Sequence, residues 1–503
     1  MQRFSRGGPS YTKKRLHLDL NKVYRDADGT ELRLLDMFDT NQTELFRRYA
    51  RRAGGEVALA QYGVMGSQGL RLLRRAMEFG ADADKPQLRE AFDQVASEFL
   101  GQPFGDNHSR WMDRAMQANS LVRLGGMGFT QLGEVVNGIA HLGVLHTLRS
   151  IKDMPRLRRE LLQIAKGEAV ENPVLASIEQ WGGAGEFGAD GYRMVLPFDN
   201  PDSVYHGYGQ DSVTAVDKML RAGTHAQGIL SFWRSIHAVQ QRGMAEQITL
   251  KAIKYIRDGG NDIALADMGF TPKVVKALQK DLPNMVSYDA SGRVAAFDLT
   301  KATNVEAAQA FAQSVSRGVS QIIQGTFTGE TGKWAHDGLL KLFTQFRTFP
   351  LVAMEKQWAR QRHNHGLAGA LGLLVGSIAA VTPIIMARIA FSAIGRPDAE
   401  EYIESKMDPM VIGRMALNYV AMAGLAGDLV DMTSAVTGVG QEEGARSGGA
   451  KGAVGNLFAP GLGYVDDVYK TMQNPDDPHK WAQIMPMSRL PQLVPLVNML
   501  RED

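Results

Sequence analysis

The segment Gly366–Ala387 constrains the fold most, because it runs for 22 residues without a formal charge. A helix of about 20 predominantly apolar residues spans the hydrocarbon core of a bilayer, so this segment is long enough to cross a membrane. Basic residues and histidines precede it, and Arg388 and Arg396 follow it, which is typical of the flanks of membrane helices. Gly372 and Gly376 form a small-xxx-small pair that allows a second helix to approach closely.

A core helix of a large helical domain is the alternative interpretation of Gly366–Ala387, since its alanines and glycines moderate its hydrophobicity and Pro383 is expected to kink it. A second apolar stretch, Met415–Gly427, has 13 uncharged residues, which is too short to span a bilayer by itself. Pairing of the two stretches would give a helical hairpin. The predicted membrane-interacting residues are Gly366, Gly369, Gly372, Gly376, Pro383, Met415 and Gly424.

Elsewhere, apolar residues recur three and four positions apart, which predicts a mostly α fold with a multi-helix, elongated architecture. Thr271 is predicted to cap a helix that has Pro272 in its first turn. One short β-hairpin is predicted near residues 286–298, where two alternating segments flank a turn that contains glycine. The glycine-rich stretch Leu124–Leu148 is assigned to helix packing in a bundle, with an interfacial role as the alternative.

Composition shifts and clusters of glycine or proline divide the chain into six predicted regions. They are a basic helical region 1–180, a Gly/Pro-rich linker 181–210, a central helical region with the small hairpin 211–345, a membrane-interacting helical region 346–437, a Gly-rich linker 438–455 and a Pro-rich C-terminal arm 456–503.

Charge is distributed unevenly, although the net charge of the 503 residues is only +2. Basic residues occur in clusters, as at residues 47–52. Such clusters contact the phosphates of lipid headgroups or of nucleic acid, or they are solvated helix faces. No aromatic-interleaved recognition motif accompanies them, which disfavours sequence-specific binding of nucleic acid. The predicted contacts to phosphate or lipid headgroups are Arg47, Arg48, Arg51, Arg52, Arg347, Lys356, Arg360 and Arg362.

No motif in the sequence indicates catalysis. The chain has no cysteine, which excludes disulfides, thiol nucleophiles and thiolate metal sites. The stretch Gly329–Trp334 resembles a phosphate-binding loop but lacks its first glycine and the hydroxyl residue after Lys333. Neither a GxSxG elbow nor an HExxH motif occurs. We therefore predict a protein that is not an enzyme and has no catalytic residue, metal or cofactor.

Several stretches together resemble one protein family. They are Tyr11–Leu20, Leu35–Asn41, Arg48–Gly55, Phe343–Pro350 and Ala353–Trp358, the last lying shortly before the apolar segment. In this order, the chain resembles the C-terminal part of the large internal virion proteins, also called core or ejection proteins, of short-tailed bacteriophages. The largest family members begin with a lytic transglycosylase domain, for which this chain shows no equivalent.

This resemblance implies a protein stored in the virion interior and ejected into the host periplasm and inner membrane, where it helps to form the channel for viral genome delivery. The implied partners are further copies of the chain, other internal virion and portal proteins, inner-membrane lipids and double-stranded DNA bound without sequence specificity. Two alternative functions are a soluble helical scaffold of the virion and a virion-associated cell-wall hydrolase.

Overall fold

The structure is a computed structural model that describes residues 23–25, 31–33, 49, 52–57, 59–60, 63–80, 85–100, 110–166, 168, 172–182, 187, 215–259, 262–323, 352–420, 423, 426, 430, 433 and 463–501. These residues are mostly helical, which confirms that the fold is mostly α. The chain divides into two compact units. The first comprises Met1–Arg110, Phe198–Lys218 and Phe327–Gly338, and the second comprises Trp111–Pro197, Met219–Thr326 and Leu339–Asp503. The six regions that the sequence suggests stay predictions.

The first unit contains a short strand pair and a pair of packed helices. The antiparallel strands β1 (Val23–Arg25) and β2 (Glu31–Arg33) form a pairing that sequence reasoning missed. Helix α1 (Gly66–Phe79) packs beside α2 (Pro86–Phe99). Arg74 joins the two helices, since its Nε lies 2.8 Å from Asp93 Oδ1.

The second unit contains most of the described helices. Its N-terminal part comprises α3 (Arg110–Arg123), α4 (Met127–Leu132), α5 (Val135–Leu142), α6 (Val144–Ala165) and α7 (Ala176–Gly182). Its central part comprises α8 (Ala215–Leu230, of which residues 215–218 belong to the first unit), α9 (Trp233–Asp258), α10 (Ile263–Met268), α11 (Pro272–Gln279), α12 (Leu282–Met285) and α13 (Val305–Ile322). Its C-terminal part comprises α14 (Arg360–Ala393), α15 (Ala399–Lys406), α16 (Pro409–Tyr419), α17 (Gly463–Gln473), α18 (Pro478–Ile484) and α19 (Val494–Asn498).

Helix α9 forms the centre of the main core, where it packs against α6, α13 and α4. Its enclosed apolar residues include Ile248, Ile253 and Ile256. Phe311 of α13 adds aromatic contacts to this core, because Phe270 meets its ring edge-on at a centroid distance of 5.1 Å.

The predicted hairpin is confirmed. Strand β3 (Val286–Tyr288) pairs antiparallel with β4 (Val294–Phe297). Asp289 closes the turn, since its Oδ1 accepts hydrogen bonds from the backbone N–H groups of Ser291 and Arg293. The predicted cap at Thr271 is also confirmed, because its side chain accepts a hydrogen bond from the N–H of Val274.

The described side chains of 124–142 in the glycine-rich stretch are buried or half-buried, whereas Val144, Leu145 and Leu148 at its end are exposed. Gly125 lies against the backbone of Arg489 and Leu490, so closely that a Cβ atom would overlap a carbonyl group. Gly138 lies against Met244 and Thr147, where a Cβ atom would come within 2.7 Å of the methionine methyl group. Close packing against backbone therefore requires glycine at position 125, whereas at Gly138 the flexible end of Met244 would have to shift.

Helix α14 contains the apolar segment and is preceded by a π-helical turn, Met354–Ala359. Its backbone leaves helical geometry at Gly366, where φ is +69° and ψ is 179°. The backbone angles stay helical at Pro383, and the kink expected there stays a prediction. Only glycine adopts the Gly366 conformation readily, because a Cβ atom would clash with the backbone at positive φ. The apolar helix proper therefore begins at Leu367.

Candidate functional site

Helix α14 exposes apolar side chains on the surface of the structure. Six residues at four-residue intervals form an exposed apolar stripe: Leu367, Leu371, Val375, Ala379, Pro383 and Ala387. Val375 is 66% exposed, Leu367 58% and Leu371 47%. Each four-residue step rotates the side chain by about 40°, so these residues form a continuous ridge that winds gradually around the helix. The first half of the stripe thus exposes three large aliphatic side chains, and its second half continues with the smaller residues Ala379, Pro383 and Ala387.

The opposite side of α14 is buried along a second row with the same interval. It consists of Ser377, Val381, Ile385, Ile389 and Ala393. This row packs against Ala416 of α16 and against Val420 and Ala423 just beyond it. The structure therefore pairs the two apolar stretches, as the hairpin interpretation expects, although α16 begins at Pro409 rather than near Met415. Arg388 ties the pair together by donating a hydrogen bond to the hydroxyl of Tyr419.

The start of α14 is held by a buried cluster of polar side chains, here called the polar base: His141, Gln321, Gln357 and Gln361. The Nε2 of Gln357 donates to the backbone carbonyl of Gln321 at 2.5 Å. The Oε1 of Gln357 therefore faces His141 Nε2, at 2.8 Å, and the neutral ring donates to it. These bonds join α5, α13 and the π-helical turn.

Burial lowers the pKa of His141 to about 4, because the charged ring would lose its hydration. The hydrogen bond to Gln357 opposes this shift, whereas the nearby Arg360 guanidinium adds to it. At neutral pH the ring is consequently uncharged. The four side chains of the polar base are therefore uncharged at neutral pH, and the adjacent ion pair Arg360–Asp267 adds a charged contact at the start of α14.

The end of α14 is held by the C-terminal residues of the chain. Asn498 Nδ2 donates to the carbonyls of Ser392 and Ile394, both at 3.0 Å. Gly395, with φ of +80°, lies so close to the carbonyl of Pro495 that a Cβ atom would overlap its oxygen. The predicted Pro-rich arm thus contributes short helices that pack on its own chain.

The basic residues predicted to contact phosphates differ in their surroundings. Arg360 Nε pairs with Asp267 Oδ2 at 2.8 Å, so Arg360 takes part in an internal ion pair. Lys356 is half-buried and Arg362 is exposed. Among the residues that the structure describes, none forms an ion pair with Arg362.

In the first unit, Arg52 pairs with Glu56 at 3.4 Å. Arg47, Arg48, Arg51 and Arg347 lie outside the described residues.

The residues predicted to interact with a membrane also differ in their surroundings. Gly372 and Gly376 are exposed, and a Cβ atom added at either position would meet nothing within 4 Å beyond its chain neighbours and the surrounding backbone of its own helix, so neither contributes to the α14–α16 contact. Gly369 lies against the Cβ of His365. Met415 is half-buried and packs in the α14–α16 cluster. Gly424 lies outside the described residues.

Sequence reasoning missed the polar base and the clamp at Asn498. The three glutamines carry no charge and stand in no motif, and their partners are 36 or more positions away in the chain. The only available signal is a weak one: Gln357 and Gln361 stand four residues apart, directly before the apolar segment, which places them on one helix face.

Within the described residues, the helix Lys356–Ala393 is the one that is long and apolar enough to cross a membrane, and 22% of its most apolar stretch is buried. The same part of the chain has no group of three histidine, aspartate or glutamate residues that could hold a metal ion. Comparisons with protein-family models, curated proteins and solved structures find no match to this chain.

Proposed function

We propose that this chain is a membrane-active virion protein, an ejection protein that helps to form the channel for genome delivery across the host envelope. The exposed apolar stripe of α14 carries this proposal. Residues 367–393 form a helix about 40 Å long at 1.5 Å per residue, which exceeds the roughly 30 Å hydrocarbon core of a bilayer. In this function, the stripe contacts lipid.

The exposure of the stripe favours lipid contact over the core-helix alternative. A helix that is apolar all round is buried in a protein core or in a membrane. Here 22% of the apolar stretch is buried, and Val375 remains 66% exposed. Contiguous exposed apolar surface of this kind marks a site for lipid or for another protein. Lipid is the better match, since the stripe is uncharged over the length of a bilayer.

The remaining parts of the proposal follow from the family resemblance. The protein would be stored in the virion interior with other internal virion and portal proteins, and would act in the host periplasm and inner membrane. Copies of the chain would associate in the membrane through Gly372 and Gly376, whose surroundings are open. Any contact with double-stranded DNA would be to its phosphates, without sequence specificity.

Liposome flotation with dye leakage tests the proposal. The wild-type chain is expected to float with vesicles after high-salt and carbonate washes and to release the dye. The double variant L371E/V375E is expected to lose both properties, because a carboxylate in the hydrocarbon core is strongly unfavourable. Its matched control is I263E/V305E, which places two carboxylates at exposed apolar positions of α10 and α13.

Two outcomes would contradict the proposal. Wild-type protein that stays soluble and binds no vesicles would favour the scaffold alternative, with α14 covered by another virion protein. Equal loss of binding in L371E/V375E and in I263E/V305E would show that the stripe has no special role. Dye release from peptidoglycan-free vesicles also separates this function from that of a cell-wall hydrolase.

A further inference from the structure

The outward side of α6 carries a row of bases, here called the basic face: Arg149, Lys152, Arg158, Arg159 and Lys166. All five are exposed, and none forms an ion pair with another described residue. The two acidic residues of this helix do not neutralise the face. Asp153 lies 3.8 Å from Arg156, and Glu160 is bound to the buried Arg242 at 2.8 Å.

The same side of α6 also exposes large aliphatic residues. Leu145 is 59% exposed and Leu148 is 56% exposed, and Val144 and Leu162 are exposed as well. Leu145, Leu148 and Lys152 follow one another at intervals of three and four, so they share one side of the helix. Aliphatic and basic residues on one exposed helix side are the pattern of a surface that lies at the boundary between headgroups and acyl chains.

The helix that carries the basic face, α6, starts beside the polar base. Val144 follows His141 by three residues, and the intervening Gly143 has φ of +87° and ends α5. Three residues span at most about 11 Å, so the apolar start of α6 lies within that distance of the histidine that holds Gln357. If α14 enters a bilayer from its polar base, the start of α6 is at headgroup level.

We propose that the basic face of α6, with Leu145 and Leu148, binds the anionic headgroups of a membrane. This inference rests on the proposed function, and it adds a second lipid contact with a preference for negative charge. Charge complementarity and the exposed leucines together select this partner. A nucleic acid would use the bases but would leave the leucines in water.

Vesicle binding by the full chain tests this proposal, with phosphatidylcholine vesicles that contain or lack phosphatidylglycerol. The variant R149Q/K152Q/R159Q is expected to bind the anionic vesicles at least about tenfold more weakly, because each base near an anionic surface contributes severalfold to affinity. Its matched control, K273Q/K276Q/K280Q, removes three exposed lysines at α11 and is expected to change binding less than about twofold. Far-UV circular dichroism verifies that both variants fold.

A second variant, L145S/L148S, separates lipid from nucleic acid. It is expected to weaken binding to anionic vesicles and to leave binding of duplex DNA unchanged. The proposal is overturned if R149Q/K152Q/R159Q binds anionic vesicles like its control, or if it loses only DNA binding. Two different measurements test the two proposals. If the proposed function fails, carbonate-resistant flotation and dye leakage are absent. If the basic face has no role, the salt-labile binding to anionic vesicles does not depend on it.

Discussion

Helices α9 and α14 are the two longest helices described in the second unit, and they invert the usual relation between hydrophobicity and burial. Fourteen of the 26 residues of α9 are buried, and these include Arg242, Glu246 and Thr249. Seven of the 34 residues of α14 are buried, although its central 22 residues carry no charge. The more polar helix lies in the core, and the more apolar helix lies at the surface.

The difference shows what each helix requires from its surroundings. Arg242 is tolerated in the core because its Nε donates to Glu160 and its Nη1 donates to Glu179, at 2.8 and 2.6 Å. Such a buried charge is acceptable only with partners. The stripe of α14 carries no charge and therefore needs no such partners, and the proposed function places it in an environment other than water. A bilayer provides that environment.

The largest expected effect is on the buried charges of α9. Arg242→Ala leaves Glu160 and Glu179 without their guanidinium partner and is expected to lower the free energy of unfolding by about 3–5 kcal/mol. Urea denaturation measures this loss. The control is Arg362→Ala, at an exposed position of α14, where a change within about 0.5 kcal/mol is expected. Similar values for the two variants would contradict the assigned role of Arg242.

Acid is expected to destabilise the protein through His141 and His237. Burial lowers the pKa of both rings to about 4, whereas the pKa in the unfolded chain is about 6.5. Because the native state favours the neutral rings, stability is present above pH 6.5 and is lost as the pH falls towards 4. Between pH 7 and pH 5, each histidine accounts for about 2 kcal/mol.

The variant His141→Gln tests this assignment, because it keeps a hydrogen-bonding side chain but cannot titrate. Urea denaturation at pH 7 and pH 5 measures how much of the free energy of unfolding is lost between the two pH values. In the variant, the loss that comes from histidine is expected to be about half of that in the wild type. An unchanged pH dependence would mean that His141 titrates normally in the folded protein.

Two glycines of α14 are expected to respond with opposite signs to the same substitution. Gly366→Ala forces a side chain into a positive-φ conformation and is expected to cost about 1–2 kcal/mol. Gly372→Ala lies in the regular, open part of the helix and is expected to stabilise the protein by up to about 1 kcal/mol. Thermal unfolding measures both changes. Equal changes in stability for the two variants would contradict the conclusion that the apolar helix begins directly after Gly366.

Local signals in the sequence are sufficient to predict much of the fold. The cap at Thr271, the hairpin closed at Asp289 and the apolar helix each depend on neighbours in the chain, and the sequence predicts all three. The polar base is beyond such reasoning, because Gln357 finds His141 at a separation of 216 residues. The break at Gly366 is also missed, since a proline is the more obvious candidate for a kink. Contacts between distant parts of the chain determine the polar base and the break at Gly366, and local sequence signals do not indicate them.

The most direct measurement of the central claim is the depth of Val375 in a bilayer. Because the chain has no cysteine, Val375→Cys carries a single environment-sensitive fluorophore, and Lys273→Cys provides the exposed control at α11. With anionic vesicles, the label at position 375 is expected to shift to shorter wavelength and to be quenched by quenchers attached to acyl chains, whereas the label at position 273 stays in water. Binding to the vesicles without any change at position 375 would contradict the claim that the exposed stripe of α14 enters lipid.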